Sequence, residues 1–307
     1  MADKNGKIVL DPIYGMIELD ALAVKIIDTP CFQRLRYIKQ LSVADFVYPG
    51  ATHTRFAHSI GVYHLACEMI KRIKSQGLSE AVRLTDKEET CLRVAALCHD
   101  IGHGPFSHTY EHIFKDELKD VKHEHISVFL VEKMFKDNIN FDLEKEKFDI
   151  GLIQALIQGN YDDYIKVDPE MKVKKYLFQI VSNKTSGMDV DKWDYFNRDA
   201  IACGVPERFQ FDRALHVAGV FKVNGVYELS YREHDAFSFY NMYNTRLTLY
   251  RKVYRHRVVV AVELMVKDVF QIVSEANKSP AKSGKENKDG SYHVSEENEN
   301  SAKPDNV

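Results

Sequence analysis

The stretch CHDIGHGPFSH, residues 98–108, decides how the fold of this chain is interpreted. The apolar segment before it predicts a helix that ends at the adjacent pair His99 and Asp100, because glycines and a proline follow directly. Two other segments carry further histidines, aspartates and cations: HTRFAHSIG (53–61) and SGMDVDKWDYFNRD (186–199). Imidazole and carboxylate groups together can ligate a divalent transition metal. The three segments therefore predict one metal centre, with the ligands His58, His99, Asp100 and Asp191.

Each segment also has a simpler interpretation. His99 and Asp100 would then only cap their helix, and His58 would be a structural hydrogen-bond donor. The aspartates of 186–199 would form the solvated face of an amphipathic helix. The metal centre is favoured because all three segments occur together, and because Arg55 and His58 lie three residues apart, on one helix face.

Three more histidines flank the predicted centre: His103, His108 and His123. Imidazole has an unperturbed pKa of about 6.5, so a positioned imidazolium can protonate a leaving oxygen near neutral pH. His123 lies next to Glu124, and an ordinary surface pair of these two residues is the alternative.

Composition narrows the class of protein. A formal net charge of -3 argues against a uniformly basic nucleic-acid binder, although segments 33–40 and 245–257 are locally basic and aromatic. The five cysteines form no CxxC pair, which favours buried thiols in a reducing compartment. No apolar run approaches the roughly 18 residues of a membrane span, and the N-terminus lacks the apolar core of a signal peptide. We expect an intracellular protein, nuclear or cytosolic, with no membrane partner.

The pattern of elements predicts a mainly α fold with a small β-hairpin and a disordered C-terminal tail. The segment from residue 276 to 307 contains no Leu, Ile, Phe, Met or Trp, so residues 1–275 are expected to hold the folded domain. Asn224-Gly225 between alternating strands predicts a hairpin with a type I′ turn over 220–232. Helical spacing predicts helices over 28–41, 55–74, 86–100, 106–116, 123–136, 149–158, 174–183, 189–198 and 236–274.

Long stretches of the chain resemble the family of sterile-alpha-motif and HD-domain deoxynucleoside triphosphate triphosphohydrolases. The resemblance covers roughly residues 5–275 and rests on four segments: DPIYGMIELDALAVKIIDTPCFQRLRYIKQL, FVYPGATHTRFAHSIGVYHLA, ALCHDIGHGPFSH and IVSNKTSGMDVDKWDYFNRD. It implies an HD-domain helical bundle and hydrolysis of a dNTP to deoxynucleoside and inorganic triphosphate. It also implies a divalent cation, Zn, Fe, Mn or Mg, at the four predicted ligands.

The resemblance further implies a role for individual side chains. His123 resembles the family's general acid, and His103 and His108 resemble pocket histidines beside it. Residues that match the triphosphate contacts are Arg55, Lys192 and Arg246. Residues that match the deoxyribose and base contacts are Gln40, Leu41, Tyr195, Asp199 and Tyr254, with Tyr195 placed to exclude a 2′-hydroxyl.

A guanine-nucleotide activator site, for GTP or dGTP, is implied as well, together with a homo-oligomer. The matching residues are Lys7, Ile8, Asp28, Gln33 and Arg36. Without the resemblance, Asp28 would be interpreted as a helix cap and the arginines as a solvated face. His234, Ser238 and Arg255 replace Lys, Asn and Gln of the family pattern, which puts regulation and base preference in question.

Two competing functions remain at this stage. Relative to the family, the chain is expected to lack the N-terminal sterile-alpha-motif domain and the C-terminal lobe, which would weaken the oligomer. A catalytically silent form that binds nucleotides or single-stranded nucleic acid and regulates a full-length enzyme is therefore the main alternative. A phosphohydrolase acting on a cyclic nucleotide or mononucleotide is the third.

Overall fold

The computed structural model describes residues 5–114, 122–137 and 149–278. Within these ranges the protein is mainly helical with two antiparallel hairpins, which confirms the predicted fold class. The strands are β1 (Lys7–Asp11), β2 (Gly15–Leu19), β3 (Gly219–Val223) and β4 (Val226–Ser230). The helices are α1 (Ala21–Ile27), α2 (Pro30–Gln33), α3 (Arg55–Lys74), α4 (Asp86–Cys98), α5 (His108–Ile113), α6 (His123–Asp137), α7 (Ile150–Gln158), α8 (Tyr161–Val167), α9 (Val190–Ala202), α10 (Phe211–Val217), α11 (Ala236–Leu249) and α12 (Arg257–Lys278).

The chain divides into two compact units, Met1–Leu264 and Met265–Val307. The centre of the first unit is built on α3, which packs against α4 on one side and α9 on another, while α7 packs against α4. The largest fully buried side chain is Trp193 of α9. In the second unit, the described residues continue α12 to Lys278, and 279–307 of the predicted tail lie outside the described residues.

Helix ends are fixed by local hydrogen bonds that place the functional residues. Thr85 and Glu88 form a capping box at the start of α4, with Thr85 N donating to Glu88 Oε2 (2.8 Å) and Glu88 N to Thr85 Oγ1 (3.2 Å). The helix ends at Cys98, thirteen residues after Thr85 and directly before His99. Asp189 caps α9 by accepting a hydrogen bond from Lys192 N (3.1 Å). These caps set the positions of the ligands predicted on α4 and α9.

The hairpin over 220–232 is confirmed, with Asn224 (φ 49°) and Gly225 (φ 91°) both in the left-handed region that a type I′ turn requires. A second hairpin, β1–β2, begins the chain and was not predicted as a hairpin from the residues. In the described ranges, no helix combines the length and the apolar character that a membrane span needs. All five cysteines lie in these ranges as free thiols, with Cys91 and Cys98 buried.

The predicted helix over 28–41 is wrong in its bounds. Asp28 ends α1, and Thr29, not Asp28, caps the short α2. A 3-10 turn follows over Arg34–Tyr37, and the chain then becomes extended. The backbone leaves the helix because it bonds to the segment before α3: Gln40 N donates to the His53 carbonyl (2.9 Å).

Two other predicted helices are also corrected. The segment over 174–183 forms only a 3-10 turn, Lys175–Gln179, because the Gln179 side chain bonds β4 at Leu229 N (2.7 Å) and Glu228. The predicted helix over 236–274 is interrupted by a π-helical turn, Tyr250–Tyr254, before α12 begins. Such turns often occur at functional sites. Here the turn directs Tyr254 inward, where its hydroxyl donates to Asp199 Oδ2 (2.6 Å).

Candidate metal centre and adjoining pockets

Three helices bring the four predicted metal ligands together. His58 projects from α3, His99 and Asp100 follow the end of α4, and Asp191 lies in the first turn of α9. The Nε2 atoms of His58 and His99 are 3.2 Å apart. Asp191 Oδ1 lies 3.1 Å from His58 Nε2, and Asp100 Oδ2 lies 3.4 Å from the same atom. His58, His99 and Asp100 are all buried, and one donor atom from each lies within 4.8 Å of the other two. Asp191 joins this group through the two histidines, since its Oδ1 also lies 3.5 Å from His99 Nε2.

The two imidazole rings are oriented by hydrogen bonds at their far nitrogens. His58 Nδ1 donates to Asp194 Oδ2 (2.7 Å), and His99 Nδ1 donates to the Ala96 carbonyl (2.9 Å). Each bond occupies Nδ1 and leaves Nε2 facing the other ligands, which is the arrangement that metal-ligating histidines adopt. Two imidazole Nε2 atoms and two carboxylates therefore face each other, and this donor set fits a divalent transition metal that displaces any proton from Nε2.

Charge within the cluster shifts the pKa values of its members. Burial lowers the pKa of His58, but hydrogen bonds to Asp191 and Asp194 outweigh it and raise that pKa to about 10. Burial raises the pKa of Asp100, yet the charges of Arg55 and of His99 hold it well below its usual range. The cluster thus keeps its carboxylates ionised and strongly attracts positive charge.

A second cluster lies beside the first and contains the three predicted pocket histidines. The rings of His103 and His123 stack with centroids 3.9 Å apart, and the His108 ring meets that of His103 edge-on at 4.8 Å. His123 Nε2 is 3.9 Å from Asp100 Oδ1, and His103 Nε2 is 3.4 Å from the same oxygen. The two clusters therefore share Asp100 as a common neighbour.

Glu111 of α5 joins this second cluster, although the sequence reasoning did not assign it a function. Glu111 Oε1 accepts a hydrogen bond from His123 Nδ1 (2.7 Å), and its other oxygen lies 3.5 Å from His108 Nδ1. Burial lowers the pKa of His123, but the hydrogen bond to Glu111 and the charges of Asp100, Glu124 and Glu111 together outweigh burial and raise that pKa. The sequence could have indicated this contact by spacing, because Glu111 follows His108 by three residues on a predicted helix and the two side chains therefore share a face.

The cations predicted to hold phosphate lie around the centre in different environments. Arg55 is buried and fully engaged: it donates to Asp100 Oδ2 (2.6 Å), Ser107 Oγ (3.0 Å) and the Gln40 carbonyl (3.2 Å). Lys192 Nζ lies 2.7 Å from Asp189 Oδ2. Arg246 is exposed. Burial and the charge of Arg246 both lower the pKa of Lys192. The charges of Asp189 and Asp191 and the hydrogen bond to Asp189 outweigh these effects, so the pKa of Lys192 is raised.

A cavity of about 270 Å³ opens next to the second cluster. Its walls include four residues predicted to contact the substrate or the reaction centre: Gln40, Leu41, His108 and Tyr254. Gln40 Oε1 is buried and accepts no hydrogen bond from the described residues. An acceptor of this kind is costly unless a ligand or water supplies a donor.

Asp199 and Tyr195, the remaining predicted sugar contacts, lie on α9. Asp199 is buried and bridges Tyr254 and His53, with His53 Nε2 at 2.7 Å from Asp199 Oδ1. The Tyr195 ring meets the His58 ring edge-on, with centroids 6.4 Å apart. Tyr195 thus lies beside a predicted metal ligand, while Asp199 lies beside Tyr254 of the cavity wall. The individual roles of both residues stay predictions.

Three of the five residues predicted to bind an activator line a separate cavity of about 340 Å³ between the β1–β2 hairpin and α1. Lys7, Asp28 and Arg36 line it, and Lys7 Nζ lies 3.1 Å from Asp28 Oδ2. Gln33 does not line the cavity, but it contacts a residue that does, because its Oε1 accepts a hydrogen bond from Arg36 Nε (2.8 Å). Ile8 points away from this cavity, and its side chain is 65% exposed on the outer face of the hairpin.

Comparison with known proteins gives a consistent result. Residues 55–196 match the model of the HD domain. The deoxynucleoside triphosphate triphosphohydrolase SAMHD1 of Homo sapiens is 38% identical over 281 residues, which cover 86% of this chain and 44% of that protein. The Bos taurus protein of the same name is 36% identical over 304 residues, which cover 94% of this chain and 50% of that protein. A Dictyostelium discoideum homolog is 36% identical over 270 residues, covering 87% and 49%. The chain spans about half the length of these curated relatives.

Proposed function

We propose that this chain, whose residues 55–196 match the HD domain, hydrolyses dNTPs to deoxynucleoside and inorganic triphosphate. The observation that carries the proposal is the convergence of two histidines and two aspartates beside a second cluster of three histidines and Glu111. A cavity beside the second cluster holds a buried amide oxygen that accepts no hydrogen bond from the described residues. The relatives named above supply the substrate class.

The metal would be held by the Nε2 atoms of His58 and His99 and by one oxygen each of Asp100 and Asp191. This donor set accommodates Zn, Fe, Mn or Mg. When bound, the cation supplies Lewis-acid polarisation of the phosphoryl group.

In the proposed reaction, water adds to the α-phosphorus and the bond from phosphorus to O5′ breaks. The electron pair leaves with O5′, which must receive a proton to form the deoxynucleoside. His123 is the proposed donor, because Glu111 orients its ring and helps to raise its pKa, and because its Nε2 lies 3.9 Å from Asp100 Oδ1 at the metal centre. His103 and His108 pack against its ring and limit its motion.

Recognition of the substrate is proposed to rest on charge and shape. Arg55, Lys192 and Arg246 would offset the triphosphate charge, which is otherwise repelled by the acidic cluster. In the cavity, Gln40 Oε1 would accept a hydrogen bond from a sugar hydroxyl, with Leu41 and Tyr254 against the ring and base. Tyr195 and Asp199 are proposed to complete the sugar site, and the bulk of Tyr195 would disfavour a ribonucleotide.

We also propose that GTP or dGTP binds the 340 Å³ cavity and promotes a homo-oligomer. Arg36 lies 3.6 Å over the Phe56 ring, and Lys7 adds a second cation for a phosphate. Asp28 supplies a carboxylate that can accept hydrogen bonds from a guanine edge. On the outer face of the same hairpin, Ile8, Leu10 and Met16 are exposed, which suits contact with a second copy.

Product analysis tests the catalytic proposal. The full chain is incubated with Mn²⁺ or Mg²⁺ and the four dNTPs, with and without GTP, and nucleoside and triphosphate are separated. The variant carrying both His99→Ala and Asp100→Ala is the blank. We expect triphosphate release that disappears in the blank. A folded, metal-loaded protein that releases none from any dNTP would exclude this function for the chain.

A second candidate function is supported by the exposed surface of α11 and of the π-helical turn that follows it. Phe237 and Tyr240 of α11 and Tyr250 of the turn are 73%, 62% and 49% exposed, and Arg246 and Arg251 of the same segment are exposed as well. Aromatic rings alternating with arginines can stack bases and hold a phosphate backbone. A silent regulatory form would bind a single-stranded oligonucleotide through this face, and Tyr240→Ala would weaken binding at least several-fold. Equal binding by Tyr240→Ala would remove this candidate.

A further inference from the structure

Asp194 connects the metal ligand His58 to a buried network that none of the proposed catalytic roles explains. The Asp194 side chain is completely buried, and each of its oxygens accepts two hydrogen bonds. Oδ2 accepts from His58 Nδ1 (2.7 Å) and Arg198 Nε (2.9 Å). Oδ1 accepts from the Tyr14 hydroxyl (2.8 Å) and Arg198 Nη2 (2.8 Å). No rotation of this carboxylate is possible without breaking one of the four bonds.

The network continues from Arg198 to the first hairpin. Arg198 Nη1 donates to Asp11 Oδ2 (2.9 Å), and both side chains are buried. Asp11 is the last residue of β1, and its Oδ1 accepts from the backbone N–H of Ile13 (2.8 Å) and Tyr14 (3.2 Å). Asp11 therefore fixes both the guanidinium and the turn that presents the Tyr14 hydroxyl.

Close packing holds this network in place. A Cβ on Gly61 of α3 would fall 1.9 Å from Asp194 Oδ1 and 2.5 Å from Arg198 Nη2. Only glycine allows α3 to approach α9 so closely, and this approach brings His58 within hydrogen-bonding distance of Asp194. The Tyr14 hydroxyl keeps its proton to donate, because burial and the neighbouring Asp194 charge raise its pKa well above the usual value.

We propose that Tyr14, Asp11 and Arg198 are positioning residues for the metal ligand His58, acting through Asp194, so that the first hairpin sets the affinity of the metal centre. Partners beyond the ligands orient a metal-bound imidazole and increase its basicity. Here two of the partners, Asp11 and Tyr14, come from β1 and its turn, more than 40 residues before His58 in the chain, and Arg198 comes from α9. Asp11 also lines the 340 Å³ cavity, so a ligand bound there would lie next to the hydrogen-bond network that leads to His58.

The structure offers a matched pair of variants. Tyr14→Phe removes one tyrosine hydroxyl bound to a carboxylate, at Asp194. Tyr63→Phe removes another, at Asp20 Oδ2 (3.1 Å), and Asp20 has no contact with His58 among the described residues. The full chain is stripped with chelator, and Mn²⁺ affinity is measured by titration with detection of free Mn²⁺ by electron paramagnetic resonance. Thermal unfolding of the metal-free proteins separates metal affinity from stability.

We expect Tyr14→Phe to weaken Mn²⁺ binding by about 10-fold or more, and Tyr63→Phe to stay near the wild-type affinity. Asp11→Asn, which keeps the shape of the side chain, should weaken it in the same direction. Wild-type affinity in both Tyr14→Phe and Asp11→Asn would overturn the inference while leaving the proposed metal centre intact. The inference rests on that centre: a wild-type chain that binds Mn²⁺ no better than His58→Ala would overturn both.

Discussion

At the scale of the residue, two acidic side chains contact histidines in a way that the sequence did not indicate. Glu111 and Asp194 hold His123 and His58 by bonds of 2.7 Å each. Spacing could place Asp194 on the same helix face as Asp191, but whether that face meets solvent or another helix depends on tertiary packing. By contrast, the grouping of His58, His99, Asp100 and Asp191 was predictable, because histidine or aspartate occurs in all three segments and a shared metal centre would account for them together. Their role as metal ligands stays a prediction.

Glu111→Gln tests the proposed orientation of the general acid. The amide keeps the size of the side chain but loses the charge that keeps His123 protonated, so we expect the maximal rate of triphosphate release to fall by at least about 10-fold. Steady-state rates at saturating dNTP give the measurement. Glu132→Gln, on the exposed side of α6, is the control and should leave the rate unchanged. An unaltered rate in Glu111→Gln would assign the proton donation elsewhere.

Arg255 is expected to influence the choice of base. It lines the 270 Å³ cavity and offers only hydrogen-bond donors, which match guanine O6 and N7 but not the adenine amino group. We expect a higher kcat/KM for dGTP than for dATP. Arg255→Gln should reduce that ratio by roughly 10-fold, the worth of one differential hydrogen bond. Arg257→Gln, which is exposed and not on the cavity wall, is the control, and an equal ratio in all three proteins would contradict the prediction.

At the scale of the element, the sequence could predict the features that depend on local signals but not those that depend on tertiary contacts. The bounds of α3 and α4 follow from helical spacing and caps, which are local properties. The break between α11 and α12 was not predictable, because it is stabilised by the bond from Tyr254 to Asp199, 55 residues away in sequence. The extended segment after Arg34–Tyr37 has the same kind of cause, since its partner is the backbone at His53.

The contact between α3 and α9 should be sensitive to a single methyl group. Gly61→Ala would place Cβ against Asp194 Oδ1, and relief requires the helices to separate, so we expect a loss of roughly 1–3 kcal/mol in the free energy of unfolding. Denaturant titration measures it. Gly151→Ala in α7 is the comparison, because its nearest neighbour is Asp149 Oδ1 at 3.3 Å and alanine favours helix. Equal stability of Gly61→Ala and wild type would mean that α3 and α9 leave room for a methyl group between Gly61 and Asp194.

At the scale of the whole molecule, the proposed metal centre cross-links parts of the chain that are distant in sequence. Its ligands come from α3, the end of α4 and the start of α9, so a bound cation favours the folded chain over the unfolded one. With free Mn²⁺ at 100 times its dissociation constant, the stabilisation should be about 2.7 kcal/mol. Chelator should reverse it.

The variant with both His99→Ala and Asp100→Ala decides where such a cation sits. Thermal unfolding with Mn²⁺ and with chelator should differ for the wild type and be the same for this variant. A full shift in the variant would place the cation elsewhere, and the cluster of His103, His108, His123 and Glu111 is the next group with suitable donors. His108→Ala would then abolish the shift. Because unfolding requires no catalysis, the result also bears on a chain that binds metal without turning over dNTPs.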